Sequence, residues 1–365
     1  MRRARCETTD SSIAEPALAQ VGAHQSDDSK DDGEKRFFAA GGFFTPDRKA
    51  RFIAPERPAL KEQTSAAFPF RLNTGRIRDQ WHSMTRSGLS PRLAAHLPEP
   101  FVEVRPEDAS AAGLTDGGFA KISTAHGSCV LKVVVSENAR PGALFVPIHW
   151  SDETASCARV GDLVSPHTDP YSGQPEAKAT PAAIAPVGFA LRGFARTRRA
   201  VALPEATWWT RVAVADGTEY RLATSRGPLV WHDFAYRALA GEGQLAEAID
   251  GQVYRAAAFV DGEVDGCLCI GPADAPPRWD ARGLSVADAA DGQRAWLSNH
   301  AIGETEPVIC ACFGVGIDAV RKAVAGGAAT TVADIGATLR AGTNCGSCLP
   351  ELKRIIVHAR VARAG

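Results

Sequence analysis

The rhythm of apolar positions changes twice along this chain. From about residue 67 to 186, short β-branched and aromatic runs recur: "GFAKIS" and "CVLKVVV" flank the turn "TAHGS", and "RPGALFVPIHW" is entered through Pro-Gly. Successive runs of this kind, without a long helical period, predict strands closing into a barrel or sandwich. Residues 187–300 carry a weaker version of the pattern. There "WWTRVAVA", "EYRLAT" and "VYRAAAFVDGEVDGCLCIG" read as strands, the last with an Asp-Gly hairpin signal, while "HDFAYRALAGEGQLAEAI" reads as helical. In the last sixty residues the period becomes helical. Ile317, Val320 and Val324 share one face of a segment ending on Gly, and Val332, Ile335 and Leu339 share one face of a second. The second begins with a Thr cap and ends on Gly, and a third helix starts around Pro350, tolerated in a first turn.

Before these blocks, residues 1–34 are polar and acidic with no hydrophobic period, which predicts a disordered tail. Order is expected from "KRFFAAGGFFTPDRKARF" onward. The predicted organisation is therefore a β-rich domain over 35–186, an α+β connecting domain over 187–302 and a small helical domain over 303–365. Lys plus Arg number 41 against 42 Asp plus Glu, a balance that argues against nucleic acid as a partner. No stretch is apolar for the ~18 residues that a membrane helix requires. Arg2 and Arg3 have no apolar core behind them, so they make a poor export signal and a cytoplasmic location is expected. In that compartment the nine cysteines are expected to be core residues and metal ligands rather than disulfides.

The helical end buries little on its own and calls for a staple. Cys310 and Cys312 stand in "VICACFGVG", Cys345 and Cys348 in "TNCGSCLPELKR". In an extended segment, residues two apart point the same way, so Cys310 and Cys312 can chelate one iron. Cys345 and Cys348 sit where a helix starts, which favours negative sulfur. Four thiolates offered as two pairs suit a 2Fe-2S cluster. Zinc also takes four thiolates, but structural zinc sites favour C-x₂₋₄-C at both ends, and a redox disulfide at Cys345 and Cys348 would leave the first pair unexplained. Cys267 and Cys269 alternate along a predicted strand and read as core; Cys129, Cys157 and Cys6 have no partner pattern.

The run from Cys310 through "TNCGSCLPELKRII" resembles the bacterioferritin-associated-ferredoxin type of 2Fe-2S domain over roughly 307–360, with all four ligand positions matched. A second resemblance lies upstream. "FPFRLNTGRIRDQWHSMTRSG" puts a glycine, hydroxyls and a guanidinium in one loop, a combination that suits phosphate but that a solvated turn also explains. His149 by itself reads as a satisfied core histidine. Taken in order with "GLTDGGFAKIS", "HGSCVLKVVV", "RPGALFVPIHW" and "TDPYSGQPEAK", however, the segment resembles the molybdopterin-dinucleotide-binding domain of molybdenum oxidoreductases. Within that class it is most similar to the assimilatory nitrate reductase branch, where the barrel can carry an appended 2Fe-2S domain.

That resemblance implies a six-stranded double-psi β-barrel. It implies that Thr74, Gly75, Arg76, Trp81, His82, Ser83 and Thr85 line the phosphates and pterin of a molybdopterin guanine dinucleotide. His149 would lie against the cofactor, and Gln174, Glu176 and Lys178 would close the far side. Where many relatives place an asparagine, this chain has Gly161 and Asp162, a departure at the nucleotide contacts. The family's molybdenum ligand and N-terminal cluster belong to a front half not found in these 365 residues. The implied role is the cofactor-covering and electron-transfer portion of a nitrate reductase, inactive alone, with a separate or missing N-terminal part as partner and a flavin reductase or ferredoxin as donor. Two alternatives stay open: a stand-alone ferredoxin-like carrier, and a fragment of another molybdopterin enzyme such as a formate dehydrogenase.

Overall fold

Side chains alternate inward and outward along the first strands, and that alternation builds the architecture. In β1 (Phe70–Gly75) Leu72 and Thr74 are buried and Asn73 is exposed. The interior also takes Val102 and Val104 from β2 (Phe101–Val104), and Ala120 and Ile122 from β3 (Phe119–Ser123). Further in the chain, Leu131 and Val133 of β4 (Ser128–Val135) and Leu144 and Val146 of β5 (Ala143–Pro147) point the same way. A period of two puts each set on one face. Together with β6 (Thr180–Val187) the strands close into a barrel in the order β1-β5-β2-β4-β3-β6. β1 runs parallel to β5 and β2 parallel to β4; the other pairs are antiparallel. Cys129 packs in this core, where burial pushes its thiol up to about 12.

The structure is a computed structural model that describes residues 38, 42–54, 56, 59–205, 207–214, 217–241, 243–261, 263–276 and 307–364. The predicted tail, Cys6 and the boundary at 302/303 lie outside the described residues. The chain divides into two units, Met1–Pro58 and Ala59–Gly365. In the first, the rings of Phe38 and Phe43 stack 4.7 Å apart, and the Phe43 N–H donates to the Arg48 carbonyl. Everything else described here belongs to the second.

After the barrel comes a six-stranded antiparallel sheet in the order β10-β11-β12-β7-β9-β8. Its strands are β7 (Leu191–Thr197), β8 (Trp208–Val214), β9 (Gly217–Thr224), β10 (Gln244–Asp250), β11 (Val253–Val260) and β12 (Glu263–Pro272). The hairpin expected at "VDGEVDG" joins β11 to β12. The helix expected over 232–249 is shorter: α3 (Pro228–Phe234; the short barrel helices are α1, Pro91–Ala94, and α2, Pro106–Ala111) continues as a π-helix only to Ala240. Gly241, at φ +52, turns the chain, and Gln244–Asp250 pairs with β11 instead. Trp231, Phe234 and Leu239 pack on Tyr220, Leu222 and Leu268. The sheet meets the barrel through Trp208, whose indole N–H donates to the Val130 carbonyl at 2.9 Å and whose ring lies 4.6 Å from Phe119. A charged joint adds to this contact. Glu99 accepts from Lys132 of the barrel at 2.8 Å and from Arg221 of β9 at 3.0 Å. Burial opposes the Glu99 charge, but Arg221 and Lys132 outweigh it and bring the carboxyl down to about 2. Cys267 and Cys269 are buried on β12, and burial raises both thiols.

The chain ends in a small module: the hairpin β13 (Val308–Cys310) and β14 (Val315–Gly316), then α4 (Ile317–Ala325), α5 (Val332–Leu339) and α6 (Leu349–Ala364). Val320, Val324, Ile335, Leu352 and Ile356 form its core, as the helical spacing predicts. Thr331 caps α5 in a reciprocal capping box with Asp334. The far end differs from expectation. Arg340 takes the left-handed cap position at φ +62, and its guanidinium lies 4.2 Å over the Phe313 ring. That cation–π contact offsets the cost of a non-glycine residue there. Among the described residues no helix is long and apolar enough to cross a membrane.

Candidate functional site

Two loops of the end module bring its four cysteines together. Cys310 closes β13 and Cys312 lies in the turn that leads to β14, with the Phe313 N–H donating back to the Cys310 carbonyl at 3.3 Å. Cys312 is therefore presented by a turn and not by strand alternation, as the sequence had suggested. Cys345 and Cys348 flank Gly346, at φ +74, and the Leu349 N–H donates to the Gly346 carbonyl as α6 begins. The sulfurs approach as cross-loop pairs: Cys312 Sγ lies 3.3 Å from Cys345 Sγ, and Cys348 shares a thiol contact with Cys310. The Ser347 hydroxyl, its N–H and Cys312 lower the Cys345 thiol, whereas burial and Cys310 raise Cys348 to about 11. Among the described residues, no three His, Cys, Asp or Glu side chains gather around a common point as a single ion requires. The close pairs are Cys312 with Cys345 and Cys310 with Cys348, not Cys310 with Cys312 as the sequence spacing suggests, and two thiol pairs match the two irons of a 2Fe-2S cluster.

The barrel loop after β1 gathers the second set. Thr74 is buried and its hydroxyl donates to the Ala177 carbonyl at 2.7 Å, while Lys178 Nζ donates to the Thr74 carbonyl. A Cβ on Gly75 would meet the Phe145 ring at 2.6 Å, so the close approach requires glycine. The Arg76 guanidinium sits 5.5 Å over the exposed Trp81 ring, which meets His82 edge-on at 4.5 Å. His149 is fully buried. Its Nε2 accepts from the Ile77 N–H at 2.9 Å, so the proton is on Nδ1, which donates to the His82 carbonyl at 2.6 Å. Burial depresses its pKa and keeps the ring neutral. Both nitrogens are thus spent on pinning the 77–82 loop. That loop and the residue two positions beyond it are strained: Asp79, His82 and Met84 have φ of +69, +45 and +63. Ser83 and Thr85 line a separate cavity of about 240 Å³ with Gln80, Trp150 and Arg211. On the far side, Glu176 accepts from the Lys61 N–H at 3.3 Å, and Gln174 stays exposed in the 168–175 turn. Asp162, beside Gly161, is held at 2.9 Å by Arg159 Nε.

Sequence reasoning overlooked Arg78, Asp79, His96 and Glu351: Arg78 pairs with Glu351 at 2.8 Å and so joins the barrel loop to the cysteine module, with Asp79 2.9 Å from Arg78 and His96 3.3 Å from Asp79 and 3.6 Å from Glu351. Arg78 and Glu351 are 273 residues apart in the chain, and no local pattern marks the pair.

Comparison with known proteins bears on both sites. Residues 70–181 match the family described as molydopterin dinucleotide binding domain, and residues 308–358 match the BFD-like [2Fe-2S] binding domain. A nitrate reductase from Klebsiella oxytoca is 39% identical over 328 residues, covering 87% of this chain. Over that span the chain is similar to a nitrate reductase. The chain spans 37% of the Klebsiella protein's length. It is 33% identical to the assimilatory nitrate reductase catalytic subunit of Bacillus subtilis over 42% of this chain and 21% of that protein. It is also 31% identical to an F420-dependent formate dehydrogenase alpha subunit from Methanococcus maripaludis over 38% of this chain and 20% of that one.

Proposed function

We propose that this chain is the C-terminal, cofactor-covering and electron-transfer portion of an assimilatory, cytoplasmic, molybdenum-dependent nitrate reductase. The observation that carries this reading is a single one: a four-thiol hairpin site is docked against the very barrel loop that holds Thr74, Gly75 and Arg76. A 2Fe-2S cluster would supply one-electron transfer, and molybdopterin guanine dinucleotide would supply the metal centre at which nitrate becomes nitrite. Cys310, Cys312, Cys345 and Cys348 would hold the cluster. Arg76 and Lys178 would offer positive charge to phosphates, and Trp81 an open aromatic face to a planar ring. Thr74 and His149 hold that loop in shape through backbone carbonyls and an N–H, and Gly75 leaves room for the Phe145 ring beneath it. His82, Gln174 and Glu176 would complete the surround, whereas Ser83 and Thr85 belong to the separate cavity beside Trp150. The reading includes a barrel of double-psi type, domain divisions at 186/187 and 302/303, a partner segment bearing the molybdenum ligand, and a flavin reductase or ferredoxin as donor.

The Methanococcus match supports a second reading, an oxidoreductase acting on formate. Metal content per chain, after anaerobic purification from the native host, tests both. About two irons with molybdenum, and nitrate reduction by the purified assembly, is the expected result. Zinc in place of iron overturns the electron-transfer role, and formate oxidation without nitrate reduction selects the second reading.

A further inference from the structure

Arg78 follows Gly75 by three positions and leaves the barrel toward the cysteine module. Its guanidinium donates to the Ile309 carbonyl at 3.0 Å, next to Cys310, and to the Ser347 hydroxyl at 3.4 Å, between Cys345 and Cys348. That hydroxyl lies 3.1 Å from Cys345 Sγ. The same guanidinium pairs with Glu351 at 2.8 Å and Asp79 at 2.9 Å, and donates to His96 Nε2 at 2.6 Å. One cation thus reaches both cysteine loops, the first turn of α6 and two barrel residues.

We propose that Arg78 is a positioning residue that docks the cysteine hairpin on the barrel's exit loop and raises the reduction potential of the cluster held there. The proposal rests on the 2Fe-2S reading given above. The physical grounds are geometric and electrostatic. Only the planar, multi-donor fork of arginine serves so many acceptors in different directions; a lysine ammonium would serve fewer. The Arg78 side chain is 16% exposed, so its field is weakly screened. Adding one electron to the cluster adds one negative charge, and a fixed cation beside the thiolates favours that charge. Asp79 and Glu351 oppose it, so without Arg78 two uncompensated carboxylates would face the site. In this way the loop that carries the phosphate-binding candidates also sets how readily the neighbouring centre accepts an electron from a flavin or ferredoxin donor.

The test uses the full chain, reconstituted anaerobically with iron and sulfide and titrated with dithionite while the reduced cluster is followed by electron paramagnetic resonance. Arg78→Gln should keep its visible absorbance and lower the reduction equilibrium by at least tenfold, about 59 mV for a one-electron couple. Arg78→Lys should recover most of that loss, and Glu351→Gln should shift the equilibrium in the opposite, upward direction. An Arg78→Gln potential equal to that of the unsubstituted chain overturns the proposal. If Arg78→Gln fails to hold iron, the other two variants decide: an unshifted Glu351→Gln, or an Arg78→Lys displaced as far as a lost charge would require, overturns it. Failure of the unsubstituted chain to show a 2Fe-2S spectrum overturns the underlying site reading as well, and is told apart from failure of the Arg78 role by appearing before any substitution is made.

Discussion

The barrel fills its interior with Leu72, Ile122, Leu131, Leu144 and Val146, whereas the cysteine module counts Cys310 and Cys348 among the residues of its small core. The polar side chains proposed to meet a pterin cofactor sit on the rim of a scaffold that is already packed. Thr74 and His149 have protein partners for their polar atoms, so the loop has its shape before any ligand arrives. In the end module two of the four sulfurs are themselves packing atoms. A buried thiol such as Cys348, raised to about 11, resists becoming a thiolate unless a metal takes up the charge. One region is a preformed surface to which a cofactor is added; the other is a fold whose interior a cluster completes.

The strongest way to break this contrast is to remove iron or replace Cys348 by alanine. The α4–α6 module should lose its cooperative unfolding transition, read by far-ultraviolet circular dichroism, while the barrel's transition persists. A single shared loss of both would erase the distinction. Next in size comes the joint between barrel and sheet. Glu99→Gln leaves Lys132 unpaired and Arg221 with Glu219 alone, and should cost about 3 kcal/mol in urea unfolding, without altering iron content. Glu99 also gives the pH dependence a sign. Its folded pKa is depressed from 4.5 to about 2, so its contribution is complete above pH 4.5 and drains away as pH falls toward 2. The unsubstituted chain should lose stability across that window and Glu99→Gln should lack that component of the slope. The smallest effect sharpens the view of the module alone. Thr331→Ala breaks the α5 capping box and should cost about 1 kcal/mol, confined to the cysteine module's transition.

What the sequence showed follows from the range of the interactions. Strands β3, β4, β5, β8 and β9 were legible because their short apolar runs are local, β11 and β12 because a local Asp-Gly turn joins two apolar runs, and the four cysteines because their spacing is. The stretch 232–249 misled because Ala, Leu and Glu favour helix, while Gly241 and the pairing of Gln244–Asp250 with β11 decide the outcome. The left-handed backbone at His82 and Met84 carries no glycine to announce it; the His149 contacts to the 77–82 segment hold it in place. Arg78 was invisible for the same reason as the Glu99 joint. In each case one side chain meets partners from another part of the chain, and composition does not register that meeting.

The closure of the barrel has a consequence in time. β1 is hydrogen-bonded to β5 and β6, and the hydroxyl of Thr74 reaches a carbonyl 103 residues later. At a synthesis rate of ~5–20 residues per second, that partner emerges from the ribosome roughly 5–20 s after Thr74 does. Until β5 follows, the nascent strand bearing the Thr74-Gly75 loop has an unpaired edge on both sides, and until β6 follows it keeps one, open to chaperones and to neighbouring chains. The loop nearest the start of the barrel is therefore among the last parts of it to take shape.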